Sequence, residues 1–183
     1  MRTIVTTTDV YPYDELSDKA KETARENLVR ELAEMGIVTG MLREVAADFL
    51  TNLGWTDLDE LRFEDNGPDL NKLQFSISHS QGDFVAWGST VPWKFLATEF
   101  TIRTYMNRNG NMDVRLFDAD GDVTDELVDE VIHGAYEFVK ETQAALLSLM
   151  HKTDLDLSDD GEYLSDFSVA NDIEFTVDGA IYR

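Results

Sequence analysis

The sequence has no cysteine, which excludes disulfides, thiolate metal ligands and thiol nucleophiles together. Histidine is nearly as scarce: His79, His133 and His151 are scattered and form no pair at helical spacing, so no zinc or other metal site is expected. Bases are few. Fifteen Lys and Arg stand against 37 Asp and Glu, a formal charge of −22, whereas direct binding to nucleic acid rests on cations that displace counterions from phosphates. Neither nucleic acid nor an anionic membrane surface is an expected partner. No apolar run approaches the roughly 20 residues that span a bilayer, and the opening Met1-Arg2-Thr3-Ile4 lacks a signal-peptide core. Phosphate-cradling loops are missing too, because no Gly-rich stretch ends in Lys-Ser or Lys-Thr.

What is present suffices for a packed core: apolar residues make up 43% of the chain, with ten Phe, six Tyr and three Trp. A length of 183 residues fits one domain of ordinary size. The patterns predict a single α+β domain over residues 1–183: a mainly antiparallel β-sheet packed by an N-terminal helix pair and one long helix in the C-terminal half. Residues 3–13 are β-branched and aromatic and read as a strand ending near Pro12. Ala20, Ala24, Leu28, Leu32 and Met35 then form a helical stripe, with Asp14 or Ser17 as its cap and Gly36 as its stop. Leu42, Val45, Ala46, Phe49, Leu50 and Leu53 form a second, and the short link between the helices suggests an antiparallel pair. Thr124 is placed to cap the long helix, whose stripe is Val128, Val131, Ile132, Ala135, Val139, Leu146, Leu149 and Met150 and which is expected to end near His151. Residues 154–171 read as an acidic loop with a short helix at Tyr163–Phe167, and residues 173–182 as a closing hairpin.

In the middle, Leu73, Phe75 and Ile77 alternate with polar residues, and Phe84–Gly88 resumes after the Ser80-Gln81-Gly82-Asp83 turn, so the two read as a hairpin. Register in the next hairpin follows from arithmetic. Phe100, Ile102, Thr104 and Met106 share one parity with Met112, Val114 and Leu116. A two-residue Asn109-Gly110 loop would set the apolar face of one strand on the polar face of the other. A three-residue Arg108-Asn109-Gly110 loop aligns them, with paired residue numbers summing to 218. That register puts Arg103 opposite Arg115, a like-charge pair that either holds a small anion or is neutralised by nearby acids.

The charge is graded. Residues 1–112 hold 18 acids and 11 bases, residues 113–183 hold 19 acids and four bases, and residues 113–166 form the most acidic region. Its candidate partner-binding residues are Asp118, Asp120, Asp122, Asp125, Glu126, Asp129 and Glu130, then Asp154, Asp156, Asp159, Asp160 and Glu162. Such self-repulsion works against folding unless salt or a cationic partner offsets it; solubility and adaptation to high salt are the plain alternatives. Asp118-Ala119-Asp120-Gly121-Asp122 fails as a calcium loop because its Gly is fourth rather than sixth. His79 among Ser78, Ser80 and Asp83 has the residue types of a hydrolytic triad, but neighbours on a strand point to opposite faces and no Gly-x-Ser-x-Gly elbow occurs. No catalytic residue and no cofactor is assigned, and Ser80, Gln81, Gly82 and Asp83 are a distinctive turn of unassigned role.

Three short segments carry a resemblance: Asp14-Glu15-Leu16-Ser17-Asp18-Lys19-Ala20-Lys21 at a helix start, Ser80-Gln81-Gly82-Asp83 between strands, and Ala170-Asn171-Asp172-Ile173-Glu174-Phe175-Thr176-Val177-Asp178-Gly179 near the end. In kind and order they resemble a group of small, mostly uncharacterised bacteriophage accessory proteins, although that group commonly has Gly where this chain has Phe84. The resemblance implies a viral protein acting in the host cytoplasm. With the charge, it predicts a non-enzymatic protein that inhibits or redirects a host factor, a basic defence or DNA-binding protein, through a DNA-mimic-like acidic surface. The alternatives are a small hydrolytic or metal-dependent enzyme, or a phage structural or assembly protein.

Overall fold

The structure, a computed structural model, describes residues 7–56, 73–77, 82–106, 112–118, 121–122 and 129–182. In chain order its elements are a 3-10 turn (Tyr13–Glu15), α1 (Asp18–Glu34), α2 (Ile37–Asn52), β1 (Leu73–Ser76), β2 (Phe84–Trp87), β3 (Ser89–Phe95), β4 (Thr98–Met106), β5 (Met112–Asp118), β6 (Gly121–Asp122), α3 (Asp129–Asp159), α4 (Gly161–Ala170), β7 (Glu174–Phe175) and β8 (Ile181–Tyr182). Every strand pairing among the described residues is antiparallel, and the fold is α+β. The chain forms two compact units, Met1–Thr39 with Asp154–Arg183, and Gly40–Thr153. The two helices expected as a pair are thereby apportioned: α1 belongs to the first unit, and α2 beyond Thr39 to the second.

In the first unit, the Ser17 hydroxyl accepts from the Ala20 amide at 3.3 Å and so caps α1. Ala20, Ala24, Leu28 and Leu32 recur every fourth residue and are buried with Tyr13, Leu16, Leu164 of α4 and Phe175 of β7. Each leucine so buried contributes on the order of 1.5–3 kcal/mol. The strand expected over residues 3–13 lies partly outside the described residues, and from residue 7 onward it is reduced to one bridge, Tyr11 with Phe175. Pro12 has no N–H with which to extend it, and the chain enters the 3-10 turn. The acidic loop expected over 154–171 is instead helix. Leu157 continues the apolar row seven residues beyond Met150, so α3 runs to Asp159; Asp160 then accepts from the Tyr163 amide at 3.0 Å and caps α4.

In the second unit, β3-β4-β5-β6 form one sheet and β1-β2 a separate hairpin. The β4–β5 register is Ile102 with Leu116, Thr104 with Val114 and Met106 with Met112, the alignment that the parity argument requires. Its connecting residues lie outside the described ones. Val91, Phe100, Ile102 and Leu116 are buried on one face. The long helix lies on that face through Gly134, where a Cβ would stand 3.2 Å from Phe95 and 3.3 Å from Trp93. Trp55 stacks on Phe138 with ring centroids 6.4 Å apart and meets Trp87 edge-on at 5.3 Å.

Candidate functional site

The predicted acidic residues fall into two sets. In the first unit, Asp154, Asp156 and Asp159 occupy the last turns of α3, Asp160 is the cap of α4 and Glu162 lies in its first turn. All but the half-buried Asp154 are exposed. In the second unit, Asp118 ends β5 and accepts from the Gly121 amide at 3.0 Å. The Asp122 backbone pairs with Phe117, and Asp129 and Glu130 are exposed at the beginning of the described part of α3. Asp120, Asp125 and Glu126 lie outside the described residues, as does Thr124. Two of these acids therefore have local structural work, Asp118 in a turn and Asp160 in a cap.

The end of α3 is electrostatically unusual. Aligned peptide dipoles leave a helix C-terminus partially negative, so carboxylates there are unfavourable; the last turn of α3 holds acids and no base. Asp159 finds one cation, Arg25 of α1, at 3.4 Å across a largely exposed pair, which contributes little in water. From residue 154 to residue 182 the sequence has nine acids and no base. Asp18 and Glu22 of α1 line the same small recess as Asp159, with Lys21 and Arg25 between them. Among the described residues, no group of three His, Asp or Glu side chains is placed to hold a metal ion.

The Ser80-Gln81-Gly82-Asp83 turn is visible in its second half; Ser80 and Gln81, with His79, lie outside the described residues. Gly82 has φ +111, a backbone that residues with a Cβ seldom adopt. Asp83 meets His151 on α3, whose Nε2 lies 3.0 Å from the carboxylate. The Asp83 side chain is only 9% exposed, so the pair ties the β1–β2 turn to the helix in a sparsely solvated setting. Gln143, Leu147 and His151 share one helical face, and the Gln143 amide donates to the Val85 carbonyl of β2, so the row that follows β2 reaches Asp83 two turns on.

Arg103 and Arg115 are directly opposite in the β4–β5 pairing. They splay along opposite diagonals: the Arg103 guanidinium lies over Phe117 at 5.1 Å and that of Arg115 over Tyr105 at 5.2 Å. An aromatic face thus lies under each member of the like-charge pair. Arg43, unlike these two, is sequestered: it is 5% exposed, donates to the Leu73 carbonyl at 3.5 Å and lies over the Phe75 ring. Burial pushes its pKa below the ordinary arginine value. Asp178, by contrast, is held below the ordinary carboxylate range by the Thr176 hydroxyl that donates to it.

No protein-family model matches the chain, and comparison with curated proteins and with solved structures yields no match.

Proposed function

We propose that this chain is a non-enzymatic binding protein, of the phage-accessory kind its short motifs resemble, that inhibits or redirects a host factor by presenting carboxylates to a basic groove in the host cytoplasm. The observation that carries the reading is the end of α3. Asp154, Asp156 and Asp159 rise about 3 and 4.5 Å apart along the helix axis, on more than one side of the helix, against roughly 3.4 Å per phosphate along one DNA strand. They are kept at the helix end where they oppose the dipole. A defence nuclease or another DNA-binding protein is the class of partner that such spacing suits, and complementary charge speeds the encounter. The test is affinity capture of the target from host extract, followed by titration of the purified pair at rising salt with duplex DNA as competitor. Affinity should fall steeply with salt, DNA should compete, and replacement of Asp154, Asp156 and Asp159 by Asn should weaken binding about tenfold or more. Salt-independent binding, or binding that DNA leaves unchanged, refutes the DNA-mimic reading.

A second reading, a small hydrolytic enzyme, draws on the Asp83–His151 pair, since a carboxylate that orients an imidazole is the arrangement of a general base. It requires that the chain hydrolyse a simple ester and that Asp83→Asn abolish turnover with the circular dichroism spectrum unchanged. A wild-type chain without esterase activity, or an Asp83→Asn variant as active as wild type, removes this reading.

A further inference from the structure

The second unit has an apolar cleft of about 770 Å³ between α3, the β1–β2 hairpin and β5. Its walls include Phe84, Ala86, Met112, Val114 and Val139, with Tyr136 among the lining residues. Phe84 is 41% exposed and Tyr136 49%: two large rings of the lining stand half in solvent, whereas Ala86 and Val139, which line the same cleft, are buried. Exposed aromatic rings around an apolar recess are the form of an anchor pocket at a protein interface. The polar groups at its edge are two carboxamides, Gln74 and Gln143, and the Glu137–Lys140 pair at 3.2 Å.

The sign of the surrounding charge selects the occupant. Lys140 is the single base between Arg115 and Lys152, and Glu137 already neutralises it. The same stretch of α3 exposes Asp129, Glu130 and Glu141. A purely apolar segment gains nothing from these carboxylates and an acidic one is repelled, whereas a segment with Lys or Arg beside an apolar side chain suits both the floor and the acids that flank the cleft along α3. We propose that this cleft receives a large apolar side chain from a basic amphipathic segment of the partner, with the α3 carboxylates meeting the flanking cations. This deepens the reading above and rests on it: the charged end of α3 attracts a basic partner, and the cleft supplies the apolar contact that holds one.

The test titrates isotope-labelled full-length chain with two synthetic peptides of equal charge, one with Leu and Lys at helical spacing and one with every Leu replaced by Ser. Amide shifts for the Leu-containing peptide should cluster on Phe84, Val114, Tyr136 and Val139. Its affinity should exceed that of the Ser peptide by about tenfold or more, and Phe84→Ala with Tyr136→Ala should remove that advantage. Because the shifts are mapped on the wild-type chain, the answer does not depend on how the variant folds. Equal affinity for the two peptides, or shifts confined to residues 154–166, overturns the cleft proposal and leaves the acidic-surface reading in place. If neither peptide binds at low salt, the cleft proposal fails and the acidic-surface reading loses its basic-partner premise as well.

Discussion

A single backbone position shows how closely the first unit is fitted. Gly179 sits at φ +87 in the turn between β7 and β8, and a Cβ there would stand 2.1 Å from the carbonyl oxygen of Ala20. The Asn27 amide donates to its carbonyl at 3.1 Å. Two constraints therefore fall on one residue: a left-handed backbone, which costs a residue with a Cβ about 1–2 kcal/mol, and a backbone-to-backbone approach to α1, where overpacking costs about 1–3 kcal/mol. Gly82 carries only the first, since its φ is +111 but nothing lies within 4 Å of a Cβ. We predict that Gly179→Ala lowers the thermal midpoint well beyond the loss produced by Gly82→Ala; equal losses would show that the contact with α1 carries no weight. The sequence marks Asp178-Gly179 as a turn, but nothing in its local pattern says that the turn presses on a helix more than 150 residues earlier. The same limit hid His151: a lone histidine on a helix reads as surface until its opposite number, Asp83, is located in space.

At the level of elements, what could be read was what periodicity and parity report. The stripes of α1, α2 and α3 and the β4–β5 register follow from which residues share a face, because a register error of one would invert every side chain. β3 escaped because Pro92 interrupts its β-branched and aromatic run. The strand lies at the edge of the β3-β4-β5-β6 sheet, where a missing N–H is tolerated. The end of α3 was misread for the opposite reason. A cluster of aspartates argues for a loop on intrinsic preference, yet the apolar row continues to Leu157 and the cap at Asp160 fixes where the helix stops. That helix end yields a prediction with opposed signs. Asp156→Asn removes a charge that opposes the dipole and should raise stability by about 0.3–1 kcal/mol, while binding to a basic partner weakens. A measured loss of stability in denaturant unfolding would mean that Asp156 has a structural role rather than a functional one.

Across the whole molecule, the two units revise the meaning of the charge gradient. Read along the chain, acidity rises toward the C-terminus; in the fold, residues 1–39 and 154–183 belong together, so the carboxylates of α1 and of the tail share one small unit. That unit holds 17 acids and six bases, and the larger unit 20 acids and nine bases. Their net charges are equal, but in the first unit the charge is spread over far fewer residues. The division was not legible in the sequence because both boundaries, between Thr39 and Gly40 and between Thr153 and Asp154, fall inside helices rather than in linkers. It also sets an order of events at the ribosome. The larger unit is contiguous and can close as soon as Thr153 has emerged, whereas α1 is made before it and gains Leu164 and Phe175 as core partners of Leu28 and Leu32 only after it. The first helix must therefore wait while the whole of the larger unit, from Gly40 to Thr153, is made, and its core closes only when the chain comes back to it.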